Sequence, residues 1–304
     1  MKYVFFVNQQ ARDGKLRSLW REAEPRIVSQ LRRFEICFPQ SAQETRDMAK
    51  AYADEGGAVL VAVGGEGTMN MVMQGIMDSE GRDETVMALV PLGNVNDYAA
   101  TLGMEKNWRH AVQTLIEGEE RRVGLTELIT PTSRSLALNI ADIGFGASTA
   151  KLHSVEHRLS WVKGRLKYNL LALRTLLGWR NMPARILIDD EEIEGDLVMA
   201  LAGFSPTLGG FHLLPHADPY DDRFAVTLGI NASRRDILRL LGDAKHGRMI
   251  PDDQLIFRKA SRLVVEPRGG LVTQVDGEIT DTRARHIEFR SHPGKLRFMA
   301  PRDR

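Results

Sequence analysis

Ala58-Val59-Leu60-Val61-Ala62-Val63-Gly64-Gly65-Glu66-Gly67-Thr68 is an apolar run that breaks into glycines just before the helical stretch Met69–Met77. Apolar residues without polar alternation read as a strand covered on both faces, as in parallel sheets. Upstream, Tyr3–Val7 is a short apolar run ending in the polar loop Asn8–Lys15, and Phe34–Phe38 reads as a second strand. Ser41 and Glu44 have the spacing of a capping box for a helix reaching about Glu55. Downstream, Val86–Pro91 is another apolar run, ending in the polar turn Gly93–Asp97. Strands alternating with helices imply an open α/β sheet, in which ligands gather at the carboxyl ends of the strands. The loops after Val7, Val63 and Val90 are therefore the candidate ligand edge.

From about residue 125 the pattern changes. Arg185–Asp189, Leu197–Ala202, Phe224–Ile230, Arg262–Glu266 and His286–Arg290 are short strand-like segments, with turn chemistry at Asp189–Asp190 and Arg268–Gly270. Helical stretches at Ser160–Leu177 and Ser233–Ala244 interrupt them. The expected fold is an α/β N-terminal nucleotide-binding domain with an open sheet, then a C-terminal β-sandwich-like domain with helical insertions. The expected division is 1–125, completed by the tail 291–304, and 126–290.

The chain has 304 residues, 43% hydrophobic and 27% charged, enough apolar material for real cores. A net charge of +1 offers no electrostatic footprint for nucleic acid. The single cysteine, Cys37, excludes an intramolecular disulfide, sits in an apolar run and suits a reducing compartment. The first apolar run is too short for a signal peptide, and no stretch approaches the length of a membrane span. The expected location is cytoplasmic, with any lipid met from the water side at the inner membrane face. Ser160–Leu177 mixes Trp161, Leu166, Leu170, Leu171 and Leu176 with Lys163, Arg165, Lys167 and Arg174. That composition suits an interfacial helix, or equally one packed on the β half with its basic residues outward.

Four constellations carry chemistry. Gly64–Thr68 allows close backbone approach to an anion at a helix start, with Thr68 able to cap that helix or bond a phosphate oxygen. It is neither a Walker motif nor a GxGxxG fingerprint. Pro91-Leu92-Gly93-Asn94-Val95-Asn96-Asp97 reads as a nucleotide-binding edge, with Asp97 holding a polar contact, or as an Asx turn and helix cap. Pro215–Asp222 gathers carboxylates and carbonyls in a tight turn, a hard-cation site or a solvated acidic turn. Val275-Asp276-Gly277-Glu278 sets two carboxylates around a glycine, a source of a general base or a hairpin turn.

In order, GGxGTxN, PLGxxND, NxxxxGFGA, GG-x4-P-x-A-x3-D and VDGE resemble the bacterial diacylglycerol kinase and lipid kinase family across nearly the whole chain. The nucleotide domain is also similar to that of NAD kinases, which lack the later motifs. The resemblance implies ATP lying across Asn8, Gln9, Gln10, Ala11 and Arg12, then Gly65, Glu66, Gly67, Thr68, Met69, Asn70 and Met71, and Asn94. It implies magnesium (Mg2+) held at Asp218, Asp221 and Arg223, the first and last through backbone oxygens. Asp97 and Glu278 become the catalytic residues, Glu278 as the base that deprotonates a lipid hydroxyl in a cleft between the domains.

The chain departs from the family pattern at Glu66 (usually Asp), Met71 (Glu), Asn94 (Thr), Asp222 (Gly) and Gly124 (Asp). A kinase of a soluble hydroxyl substrate and a non-catalytic nucleotide- or lipid-binding protein stand as alternative readings.

Overall fold

The computed structural model describes residues 2–8, 16–93, 96–104, 108–156 and 164–302. The chain divides into two compact units, Met1–Gly124 with Gly294–Arg304, and Leu125–Pro293.

The first unit alternates β1 (Lys2–Val7), α1 (Leu16–Val28), β2 (Phe34–Cys37), α2 (Ala42–Asp54), β3 (Ala58–Gly64), α3 (Glu66–Met77), β4 (Val86–Pro91), α4 (Asp97–Thr101) and α5 (Trp108–Glu117). β5 (Glu119–Ile129) runs on into the second unit. The sheet order is β4-β3-β1-β2, all parallel. Chain order reverses between β1 and β3, because β1 leads outward to β2 and β3 leads the other way to β4. That gap is the topological switch point of an open α/β sheet. All seven residues of β3 and all six of β4 are buried, as runs without polar alternation require. Their inward side chains meet Leu16, Trp20, Ala23 and Ile27 of α1 and Trp108 and Val112 of α5.

The capping residues differ in part from the sequence reading. Ser41 does cap α2 through Oγ, which accepts from the Glu44 amide at 3.1 Å. Glu44, however, accepts from the Gln40 amide at 2.6 Å rather than closing a box on Ser41. The reciprocal box forms instead at Ser233 and Asp236, at the start of the helix Arg234–Lys245.

The second unit contains β6 (Arg134–Ala137), β7 (Ile140–Gly144), α6 (Phe145–Val155), α7 (Gly164–Gly178), β8 (Met182–Ile188), β9 (Glu191–Gly203), β10 (Thr207–Leu208), β11 (Phe211–His212), β12 (Phe224–Ile230), α8 (Arg234–Lys245), β13 (Leu255–Ala260), β14 (Arg262–Pro267), β15 (Leu271–Val275), β16 (Glu278–Ala284) and the first half of β17 (Ile287–Ala300). Its pairings are antiparallel, in the order β16-β15-β7-β9-β8-β14-β17. β9 is the shared strand: residues up to Leu197 pair with β8, and the rest pair with β7 on one side and β12 on the other. One core, including Ile143, Ile186, Phe204, Phe224, Leu263 and Phe289, fills the space this folding encloses.

α7 buries Leu171, Ala172 and Leu176 and exposes Leu170, Leu173 and Leu177. Arg174 pairs with Glu156 at 2.6 Å. Trp161 and Lys163 lie outside the described residues, as do the side chains of Arg165 and Leu166. No helix among the described residues is long and apolar enough to cross a membrane.

Candidate active site

Val7, Val63 and Val90 are direct register partners on adjacent parallel strands. The loops that follow them therefore leave the sheet side by side at the switch point. Asn8, the first residue past β1, donates from its amide Nδ2 to Thr68 Oγ1 at 3.2 Å, and its backbone N–H bonds Val63 O at 3.2 Å. α3 begins at Glu66, so Glu66–Thr68 is helical and the N-cap is Gly65, with no side-chain cap. Thr68 is thus not the cap that its place in the motif suggested; it faces Asn8. Met69 and Asn70 are buried, while Gly67 is exposed at the helix start.

The third loop is fitted tightly to the second. Leu92 N donates to Gly64 O at 3.0 Å. A Cβ on Gly93 would lie 2.4 Å from Gly65 Cα and 2.6 Å from Asn96 Oδ1, so the turn admits only glycine there. Asn96 is left-handed at φ 56, and its Nδ2 bonds Pro91 O and Gly93 O at 3.3 and 3.0 Å. The Asp97 amide donates to Glu66 Oε1 at 2.9 Å, and Asp97 itself is buried at the start of α4. The start of α3, beside a backbone without β-carbons, has the form of a helix N-terminus open to close approach by an anion. Gln9, Gln10, Ala11, Arg12 and Asn94 lie outside the described residues.

In the second unit, Asp276 and Gly277 form a two-residue hairpin turn, with φ values of 49 and 94. Positive φ at both central positions is the turn that matches strand twist. The Asp276 carboxylate accepts from the amides of Leu138, Asn139 and Ile140 at 2.9, 2.9 and 3.0 Å, and its own N–H bonds Ile140 O at 3.0 Å. Asp276 therefore clamps the hairpin onto the start of β7. Glu278, the first residue of β16, sits opposite Val275 and is exposed.

The turn before β12 holds Asp218, Asp221 and Arg223. Asp218 Oδ1 accepts from the Tyr220 amide at 3.0 Å, and Asp221 N donates to Asp218 O at 3.2 Å. The Asp221 carboxylate is ion-paired with Lys259 of β13. The donors are oxygens of the kind a hard cation takes. A cation bound through Asp221 has to displace the Lys259 ammonium, however. Among the described residues there is no group of three or more His, Cys, Asp or Glu side chains arranged to hold a metal.

Residues 2–128 match the family model of the diacylglycerol kinase catalytic domain, and residues 141–300 match that of the YegS C-terminal NAD kinase beta sandwich-like domain. The chain belongs to the diacylglycerol kinase family. The diacylglycerol kinase of Bacillus subtilis (strain 168) is 27% identical over 222 residues, which is 72% of this chain and 71% of the relative. That of Staphylococcus carnosus (strain TM300) is 25% identical over 240 residues, 79% of this chain and 76% of the relative. A crystal structure titled as a diacylglycerol kinase from Bacillus anthracis str. Sterne matches with a TM-score of 0.75 at 16% identity, covering 99% of this chain and 97% of that one. At that identity the likeness carries the fold. The protein is a kinase, a phosphotransferase, and kinase chemistry implies ATP as donor.

Two features of this kinase are invisible as motifs. The Lys259–Asp221 pair joins residues 38 apart in sequence. The Asp276 clamp joins residues more than 130 apart. Only the odd aspartate–glycine before a strand hints at the second.

Proposed function

We propose that this kinase transfers the γ-phosphate of ATP to the hydroxyl of a diacylglycerol-like or other long-chain lipid. The observation that carries the reading is the meeting of three strand-end loops at the switch point, closed by the Gly65–Gly93 backbone contact. On this reading residues 1–125 with 291–304 are the ATP-binding domain and 126–290 the substrate domain. ATP lies on Asn8–Arg12, Gly65–Met71 and Asn94, with phosphate oxygens at the start of α3.

Glu278 takes the proton of the acceptor hydroxyl as that oxygen attacks the γ-phosphorus. The bond from the γ-phosphorus to the β-bridging oxygen breaks, leaving ADP and a lipid phosphate monoester. An exposed carboxylate at a hairpin clamped by Asp276 suits that role, since it is open to an acceptor and its strand end is held in place. Asp97, buried beside Glu66, braces the third loop. Asp218, Asp221 and the Arg223 carbonyl are the groups for magnesium, which when bound neutralises phosphate charge. The exposed leucines of α7 support work at a lipid surface, reached from the cytoplasmic face.

The test is incubation of the purified chain with labelled ATP, magnesium and a panel of lipid extracts and soluble alcohols, the product identified by mass spectrometry. Label in a lipid phosphate monoester is expected. Label only in a soluble alcohol, or in nothing, overturns the lipid assignment.

A further inference from the structure

α1 and α5 pack against the parallel sheet, and their buried residues share one core. Facing α5, however, α1 presents a polar row rather than an apolar stripe: Glu22 and Arg26, with Gln30 just past its end, recur at helical spacing. The ion pair between Glu22 and Arg109 ties the two helices together. Beside that pair lies a cleft of about 170 Å3, with Arg26 and Gln30 on one wall and Trp108, Val112 and Ile116 on the other. Trp108 and Val112 are buried, whereas Ile116 is 40% exposed and gives the cleft an open hydrocarbon surface. Two guanidinium groups flank the Trp108 indole, with Cζ of Arg109 at 4.5 Å and Cζ of Arg26 at 5.6 Å from the ring centre. Such stacking holds a guanidinium by its flat face and leaves its N–H edge to bond. Arg109 spends that edge on Glu22. Arg26 has no carboxylate partner among the described residues, and the Gln30 side-chain amide has no hydrogen bond among them. The other amide at the cleft, Gln113, already donates to Glu117 at 2.9 Å.

A concave site with an apolar wall and a few convergent donors is the usual form of a small-molecule site. The donors here are a guanidinium fork and an amide, which together match a planar oxyanion. The volume limits the rest of the ligand, since a cavity of about 150 Å3 holds a single benzene ring. Glu117 lines the same cleft, and its charge disfavours a doubly charged head such as a phosphate. We propose that the cleft between α1 and α5 binds a small monocarboxylate with a hydrocarbon body of about one ring. Its carboxylate lies on Arg26 and Gln30 and its body against Val112 and Ile116. None of these residues belongs to the loops assigned to ATP or to the acceptor, so the inference stands whether or not the acceptor is a lipid.

The test is titration of the full chain with cyclohexanecarboxylate, with its neutral carboxamide and with acetate, read by calorimetry and by tryptophan fluorescence. Cyclohexanecarboxylate is expected to bind at least about tenfold more tightly than either of the others and to change the Trp108 emission. Arg26→Gln should bring the acid down to the level of the amide, and Ile116→Asn should weaken the acid and the amide together. Both positions are exposed, so thermal melts of the two variants should match that of the native chain. Trp108→Phe should abolish the fluorescence change. Equal affinity for acid and amide, saturable binding of none of the three, a preference for the acid that survives Arg26→Gln, or a fluorescence change that survives Trp108→Phe overturns the proposal.

Discussion

Gly93 and Gly65 meet backbone to backbone: a β-carbon on Gly93 would stand 2.4 Å from the Cα of Gly65. The two residues come from different strand ends, and the contact sets how closely the second and third loops can approach. A side chain on either would push the start of α3 away from the sheet edge, where the proposed phosphate site needs its amides.

Gly93→Ala should therefore lower ATP affinity at least about tenfold and lower the melting temperature by several degrees, since the clash falls on backbone and nothing flexible can yield. Gly65→Ala, whose Cβ would meet Gly93 Cα at 3.3 Å, should do less on both counts. Calorimetric titration with ATP and a thermal melt of each variant check this.

Asp276 and Glu278 should separate structure from chemistry. Asp276→Ala leaves three amides without their acceptor and should cost roughly 2–3 kcal/mol in chemical denaturation. Glu278→Ala removes an exposed side chain and should leave stability within about 0.5 kcal/mol. Its turnover should fall about a hundredfold or more if it is the base. A Glu278→Ala variant with unchanged turnover would remove it from the mechanism.

Lys259 competes with any cation for Asp221. Lys259→Met should reduce the magnesium concentration that gives half-maximal turnover, and Asp221→Asn should raise it. Both residues are partly exposed, so neither change should move the melting point much. An unchanged magnesium titration in both variants would place the cation elsewhere.

Burial pushes the Asp142 carboxyl up to about 7, with Gln274 and the Ile143 amide only partly offsetting the loss of water. The unfolded chain releases this proton near the ordinary carboxylate pKa of about 4. Between about pH 4 and 7 the folded protein holds a proton that the unfolded chain has lost, so this group's contribution to stability falls as pH rises. Asp142→Asn should flatten the dependence of melting temperature on pH in that window and melt higher than the native chain at pH 8. A pH profile parallel to the native one would show that Asp142 is ionised at no cost.

Much of the first unit was legible in the residues. β1, β3 and β4 are apolar runs without alternation, which only a strand covered on both faces tolerates, and each ends in a glycine or polar loop. The antiparallel second half showed in outline through Phe224–Ile230 and its neighbours. β7 was missed as a strand and β15 was read only at its end, at Val275, because their sequences are short and carry the polar residues Asp142, Thr273 and Gln274. The Glu44 box was misread, and of the two roles open to Thr68 the cap does not form, for a related reason. Side-chain hydroxyls and carboxylates near a helix start have several amides within reach, and the choice among them depends on atoms from distant segments.

By itself, then, the sequence determined the periodicities, the glycine turns and the order of the motifs, because these follow from short-range sterics and from which side chains exclude water. The tertiary structure decided which polar groups face one another. It set Asn8 on Thr68, Asp276 under the amides of Leu138–Ile140, Lys259 on Asp221, and the carboxylate of Asp142 against Gln274 with an oxygen left over. Those pairings join residues from 38 to 138 positions apart and arise from strand register and burial. Register is a property of the assembled sheet, set by how all its strands share one core.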